Sequence, residues 1–335
     1  MTRCGLSLLA PFYATATHLR NVLYDASLLR RHKVDLPVIS VGNITTGGTG
    51  KTPTVAWLVQ RLQQRGWHPA IVSRGYHSLD DTGNDEHRVL AQQCPGTPHL
   101  QDRDRVGAAQ RCAREIDCDV ILLDDGFQHR RLARDLDIVL IDALNPWGYG
   151  HLLPRGLLRE TLAGLGRADL LLITRADLCE EERLAAIEST ASRHTAAPIV
   201  RTAFHPHRWQ TIRGEQLPIE TNPGTRLAAF CGIGNPTGFL RTLASVGIAI
   251  SPDAFRAFPD HHHYSAEDIA DLREWARRHE WDALLTTQKD LVKLPSSGWD
   301  KCEPLAMTIG LDITSGGEQI DSILSRLGKD GSEVT

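Results

Sequence analysis

The chain has 335 residues, 41% of them apolar and 23% charged, with a formal net charge of −4 at pH 7. That length accommodates two domains and that mix is the ordinary soluble globular one, which argues against disorder and against nucleic-acid binding through bulk positive charge. The seven cysteines are odd in number and lack any C-x-x-C spacing, so they read as reduced cytosolic thiols.

The first element is "GLSLLAPFYATATHLRNVLYDASLL", residues 5–29, followed by the basic "RRHK". His18, Arg20, Asn21 and Asp25 interrupt it, so it falls short of the roughly 18–20 apolar residues a membrane span needs. Its apolar residues and basic end suit either a helix packed on the domain or an amphipathic segment lying in a membrane interface.

Next comes "VISVGNITTGGTGKTPTVAWLVQRL", residues 38–62, a β-rich run that enters four glycines and a helical pattern. Bare backbone amides at a helix start make a phosphate cradle, here Thr45, Thr46, Gly47, Gly48, Thr49, Gly50, Lys51 and Thr52. In such a loop Lys51 reaches the β- and γ-phosphates of ATP and the Thr52 hydroxyl ligates Mg²⁺. The P-loop consensus is not met literally, because its first glycine falls on Thr45. The stretch Thr46–Thr52 is instead close to the variant of the partition-type ATPases, with Thr46 in place of their lysine.

Further along, "AIVSRGY", "DVILLDD", "DIVLIDA" and "DLLLITRAD" are nearly continuous apolar runs. They suggest strands buried on both faces and hence an α/β, doubly wound, mostly parallel sheet. Between the first two, Asp80, Asp81, Asp85 and Glu86 mark a polar loop. At the end of the second, Asp124 and Asp125 stand where a P-loop enzyme carries its Walker B carboxylate for Mg²⁺. A turn-rich stretch at 206–225 reads as a linker or hairpin. The organisation is thus an amphipathic 1–34, a P-loop domain over 35–205 and a smaller α/β domain over 226–335. The last contains "FPDHHHYSAEDI", where Asp260, His261, His262 and His263 could hold a transition metal or, better, serve proton transfer.

In order, "VGNITTGGTGKTP", "IVSRGY", "GNDEHRVL", "DDGFQH", "LLPRGLLRE", "GIGNP", "FPDHHHY" and "TTQKDLVK" resemble the motif series of the tetraacyldisaccharide 4′-kinases of lipid A synthesis, spanning residues 35–294. The resemblance implies transfer of the ATP γ-phosphate, with Mg²⁺, to the 4′-hydroxyl of the lipid A disaccharide 1-phosphate. It further implies a peripheral protein on the cytoplasmic side of the inner membrane, with no nucleic acid and no obligate protein partner. By position it makes Lys51, Asp85 and His261 catalytic, with Asp85 and His261 a proton-accepting pair. It adds Glu160 to Thr52, Asp124 and Asp125 as candidate metal ligands, and gives Arg105, Gln128, His129 and Arg159 to the substrate or phosphate end. One departure stands out: the family's G-D-E-P reads here as Gly83, Asn84, Asp85, Glu86 and His87. The competing reading is a P-loop ATPase switch or metal-delivery chaperone of the partition type, which lacks its signature lysine at Thr46. Under the kinase reading, the N-terminal segment becomes an interfacial anchor.

Overall fold

The computed structural model describes residues 3–75, 85–220, 224–260, 262–299 and 302–328, with side chains from residue 10 onward. The chain opens with helix α1 (Arg3–Asp25), followed by β1 (Val38–Asn43), α2 (Lys51–Gln64) and β2 (Pro69–Ser73). Then come α3 (Asp85–Gln93), β3 (His99–Gln101), α4 (Arg105–Glu115), β4 (Val120–Asp124), β5 (Leu136–Asp142) and β6 (Leu170–Thr174). After α5 (Glu181–Ser192), a long β7 (Ile199–Thr211) leads to β8 (Gln216–Leu217), β9 (Leu227–Cys231), α6 (Pro236–Ser245) and β10 (Phe255–Ala257). The last elements are α7 (Ala266–His279), β11 (Ala283–Thr287), α8 (Gln288–Leu291), β12 (Pro304–Ser315) and α9 (Gly317–Ser325).

These elements form two compact units that are discontinuous in sequence. The first holds residues up to 75, those from Cys94 to Phe204 and those from Leu311 onward; the second holds 85–93 and His205–Gly310. This differs from the contiguous 35–205 and 226–335 in two places. Helix α3, expected as a polar loop of the P-loop domain, belongs to the second unit. Its Asp85 and Glu86 lie in the first turn, where negative charge suits the helix dipole, and its Val89 and Leu90 are buried. The chain after Gly310 rejoins the first unit, where Asp321 of α9 receives Arg61 of α2 and Arg65 just after it at 2.7 and 2.8 Å. In the second unit Trp209 pairs with Leu217 and Gln210 with Gln216 in antiparallel register.

In the first unit the strands run in the order β7-β6-β5-β1-β4-β2-β3 and pair in parallel. Every residue of β1, β2, β4 and β6 is buried, which is why these strands read as unbroken apolar runs. From β1 the chain moves to one side and then returns to flank it with β4 and β5. That makes β1 the point where strand order reverses, and ligands of doubly wound sheets bind at the carboxyl ends there. Gly42 in β1 allows the close approach this requires: a Cβ would lie 2.6 Å from Cβ of Phe127, which is fully buried. In the second unit β10-β9-β11-β12 form parallel ladders over a core that includes Phe230, Leu272, Trp275 and Leu291.

Candidate functional site

The glycine-rich loop leaves the carboxyl end of β1 and ends at Gly50, whose φ of +87° caps α2 at its first residue, Lys51. Pro53 thus falls in the first helical turn, where its missing N–H costs nothing. The loop's carbonyls are held from outside: Arg175 donates to the Gly48 carbonyl at 2.8 Å and the Thr174 hydroxyl to that of Thr49 at 3.0 Å. Asn43 Nδ2 donates to the Thr49 hydroxyl at 3.0 Å. With these groups engaged and the first-turn amides of α2 without helical partners, the loop offers donors and positive charge to an anion.

The "LLPRGLLRE" segment runs antiparallel beside the loop's first half. Thr46 N donates to the Leu157 carbonyl and Arg159 N to the Ile44 carbonyl, both at 2.7 Å, with Thr45 bridged to Leu158. This pairing delivers Arg159 and Glu160 to the end of β4. There Asp125 follows the strand with φ +51°, and its carboxylate accepts Arg159 Nη1 at 2.7 and 2.9 Å, with Lys51 Nζ at 3.6 Å. Burial alone would raise its pKa, but Lys51 and Arg159 outweigh burial and hold the carboxyl below the ordinary range. Arg159 also donates to Gln128 Oε1 at 3.2 Å, and Gln128 donates to the Asn43 carbonyl and to Glu160, each at 2.9 Å. Asp124, buried at the last position of β4, is in register with Val41 of β1.

Three expected site residues sit in settings their sequence positions did not disclose. Glu160 is 1% exposed, and its carboxylate accepts from Gln128, from Arg167 at 2.8 Å and from Asn21 of α1 at 3.1 Å. Arg105 is buried and donates to the backbone carbonyl of Asp125 at 2.9 Å, so it fixes the turn that carries the aspartates. His129 is half-buried; burial first, and then Arg105, Arg134 and Arg131, lower its pKa to about 4. Sequence reasoning missed Asn21, Arg167, Arg175 and Asn43, which brace the site through contacts distant in sequence. Tyr13 is another, its hydroxyl donating to the Arg159 carbonyl at 2.9 Å.

In the second unit, Asp85 begins α3 and pairs with Lys293 at 2.9 Å. His261 lies outside the described residues, as do Asp80 and Asp81. Its neighbour His262 meets Asp268 at 3.1 Å and stacks on Phe258 at 4.8 Å between centroids, and His263 is exposed. Among the described residues no group of three or more His, Cys, Asp or Glu side chains could hold a metal ion.

A family model described as tetraacyldisaccharide-1-P 4′-kinase matches residues 2–327. A tetraacyldisaccharide 4′-kinase of Anaeromyxobacter dehalogenans is 40% identical over 304 residues, covering 85% of this chain and 79% of the relative. Another, of Halothermothrix orenii, is 36% identical over 316 residues, covering 86% and 82%. Among solved structures, LpxK from Aquifex aeolicus, an "apo" form in complex with ATP, superposes with a TM-score of 0.79 at 29% identity. It covers 98% of this chain and 99% of that one.

Proposed function

The chain belongs to the tetraacyldisaccharide-1-P 4′-kinase family and is an ATP-dependent kinase of lipid A synthesis; from that premise we propose how its residues divide the work. The loop from Thr45 to Thr52 cradles the phosphates, and Lys51 neutralises charge on the β- and γ-phosphates. Asp85, partnered by His261, accepts the proton of the 4′-hydroxyl of a tetraacyldisaccharide 1-phosphate. The new O–P bond then forms as the bond from the γ-phosphorus to the bridging oxygen breaks. The observation that carries this reading is the convergence of Lys51, Asp125 and Arg159 at the carboxyl ends of β1 and β4.

The oxygen donors there suit magnesium, which takes one or two carboxylates with phosphates and water completing its shell. Thr52 in the first turn of α2, with Asp124 and Asp125, would hold it, and when bound it would neutralise developing charge on the phosphoryl oxygens. Glu160, already engaged by three donors, instead braces Gln128 and Arg167. Arg159, Gln128 and His129 remain at the phosphate end.

Helix α1 supports membrane association. Phe12 and Leu19 are 75% and 56% exposed, and Leu28 just beyond the helix 73%, an apolar surface that an interfacial helix buries among lipid headgroups. No helix among the described residues is long and apolar enough to cross a membrane. We place the protein at the cytoplasmic surface of the inner membrane, where its lipid substrate lies, with no protein partner or nucleic acid required. The partition-type ATPase reading is not favoured, because the kinase relatives match along most of the chain.

The decisive assay follows label from [γ-³²P]ATP into an acylated disaccharide 1-phosphate. Wild type should label the lipid and Lys51→Ala should not, while both show the same thermal transition. ATP turnover that ignores the lipid would overturn the kinase reading.

A further inference from the structure

Two lysines four residues apart, Lys289 in α8 and Lys293 in the turn after it, each meet one acid in the first turn of α3. Lys289 Nζ lies 3.2 Å from Glu86 Oε1 and Lys293 Nζ lies 2.9 Å from Asp85 Oδ2. The two pairs have unequal surroundings. The side chains of Lys289 and Glu86 are 38% and 44% exposed, the setting of an ordinary surface pair. Those of Lys293 and Asp85 are 6% and 20% exposed. An ammonium so far from water is tolerated only when a specific acceptor compensates it.

The platform beneath Lys293 is itself pinned. Asp290, fully buried, accepts the Thr287 hydroxyl at 2.6 Å and the Tyr264 hydroxyl at 3.1 Å. Gln288 accepts from Gln93 of α3 at 2.6 Å and donates to Gln210 at 2.8 Å, while Arg88 of α3 donates to the Val292 carbonyl at 3.1 Å. α3 and the α8 turn are therefore tied at several points along their length. The ammonium of Lys293 reaches Asp85 from a backbone that has little freedom to follow a wandering carboxylate.

We propose that Lys293 is a positioning residue for phosphoryl transfer: its buried ammonium fixes the direction of the Asp85 carboxylate, so that the acid meets the acceptor hydroxyl already oriented. This rests on Asp85 being the proton acceptor. A displaced catalytic group costs rate rather than nucleotide affinity, on the order of 10²-fold for a shift of about 1 Å. Lys289, on the exposed pair, serves as the control.

The test uses the full chain with Mg-ATP and an acylated disaccharide 1-phosphate in detergent micelles. It compares Lys293→Gln, Lys293→Arg, Lys289→Gln, Asp85→Asn and the double variant Asp85→Asn/Lys293→Gln. Lys293→Gln should lower kcat about 10- to 100-fold with the KM for ATP unchanged. Lys293→Arg should recover most of the rate, Lys289→Gln should stay within about twofold, and Lys293→Gln should add nothing once Asp85 is Asn. If Lys293→Gln does not fold, Lys293→Met takes its place with the same expectations. Wild-type kcat in the folded Lys293 variant, or a fully multiplicative loss in the double variant, would overturn the inference while leaving Asp85 as the acceptor. Wild-type kcat in Asp85→Asn would instead overturn the proton-acceptor reading, and the positioning role with it.

Discussion

Arg159 reaches Asp125 through a single guanidinium nitrogen, Nη1, which donates to both carboxylate oxygens and also to Gln128. Because one nitrogen makes all three contacts, a lysine retains part of the interaction that a planar bidentate fork would lose completely. Arg159→Gln should lower kcat by roughly 10²–10³, the scale of removing one preorganised electrostatic donor, and Arg159→Lys should fall between it and wild type. Equal rates for the lysine and glutamine variants would show that charge at this position is irrelevant.

His129 supplies a pH dependence whose sign is fixed by burial. Its folded pKa of about 4 lies below the ordinary 6.5, so between those values the unfolded chain binds the extra proton. Folding stability is therefore lost as pH falls from about 6.5 toward 4. His129→Gln lacks this component, so its Tm relative to wild type should rise as the buffer goes from pH 7 to pH 5. Parallel Tm–pH curves for the two proteins would count against the buried neutral imidazole.

Gly50 combines a left-handed backbone with a neighbour that leaves no room for a side chain, since a Cβ would stand 2.0 Å from Cζ of Phe204. Gly50→Ala should cost about 1–3 kcal/mol in stability and weaken ATP binding together with it. Adding Phe204→Ala removes the clash but not the strain, so denaturant midpoints should recover only in part. Complete recovery would mean that backbone conformation contributes nothing.

Helix α1 carries exposed apolar side chains, Phe12 and Leu19, and a polar contact from Asn21 to Glu160. Phe12→Ser with Leu19→Ser should reduce sedimentation with anionic vesicles several-fold while leaving kcat in micelles near wild type, because both side chains are exposed. Asn21→Ala should do the reverse, leaving sedimentation intact and lowering kcat, because Asn21 donates to Glu160. A vesicle-binding loss in the Asn21 variant equal to that of the apolar pair would erase the distinction.

Asp85 and His261, if they act as one proton-accepting unit, should each lower kcat by roughly 10²–10⁴ when changed to alanine. Their combined loss should be far smaller than the product, with ATP binding preserved. Steady-state rates of the single and double variants decide this, and a fully active His261→Ala enzyme would move the search for a proton partner elsewhere.

The parts of this protein that depend on neighbouring residues were open to reading from the sequence. Unbroken apolar runs announced parallel strands buried on both faces, and glycines followed by Lys51 and Thr52 announced a tight turn into a helix. Two aspartates closing an apolar run announced the end of β4. Each signal comes from local periodicity or local backbone freedom, which residues carry wherever the chain goes. The ordered motif series extended that reading to the family and its chemistry.

Tertiary structure decided the rest. That "LLPRGLLRE" pairs alongside the P-loop, that Glu160 faces Asn21 and Arg167, and that Arg105 grips a backbone turn are outcomes of packing between segments distant along the chain. The placement of α3 is the clearest case. Its first turn reads as an acidic loop because charge is all that a short window shows. Its helical state and its place in the second unit come from burying Val89 and Leu90 and from the lysines of the α8 segment. A buried ammonium demands its acid, and only the folded chain brings Lys293 to Asp85.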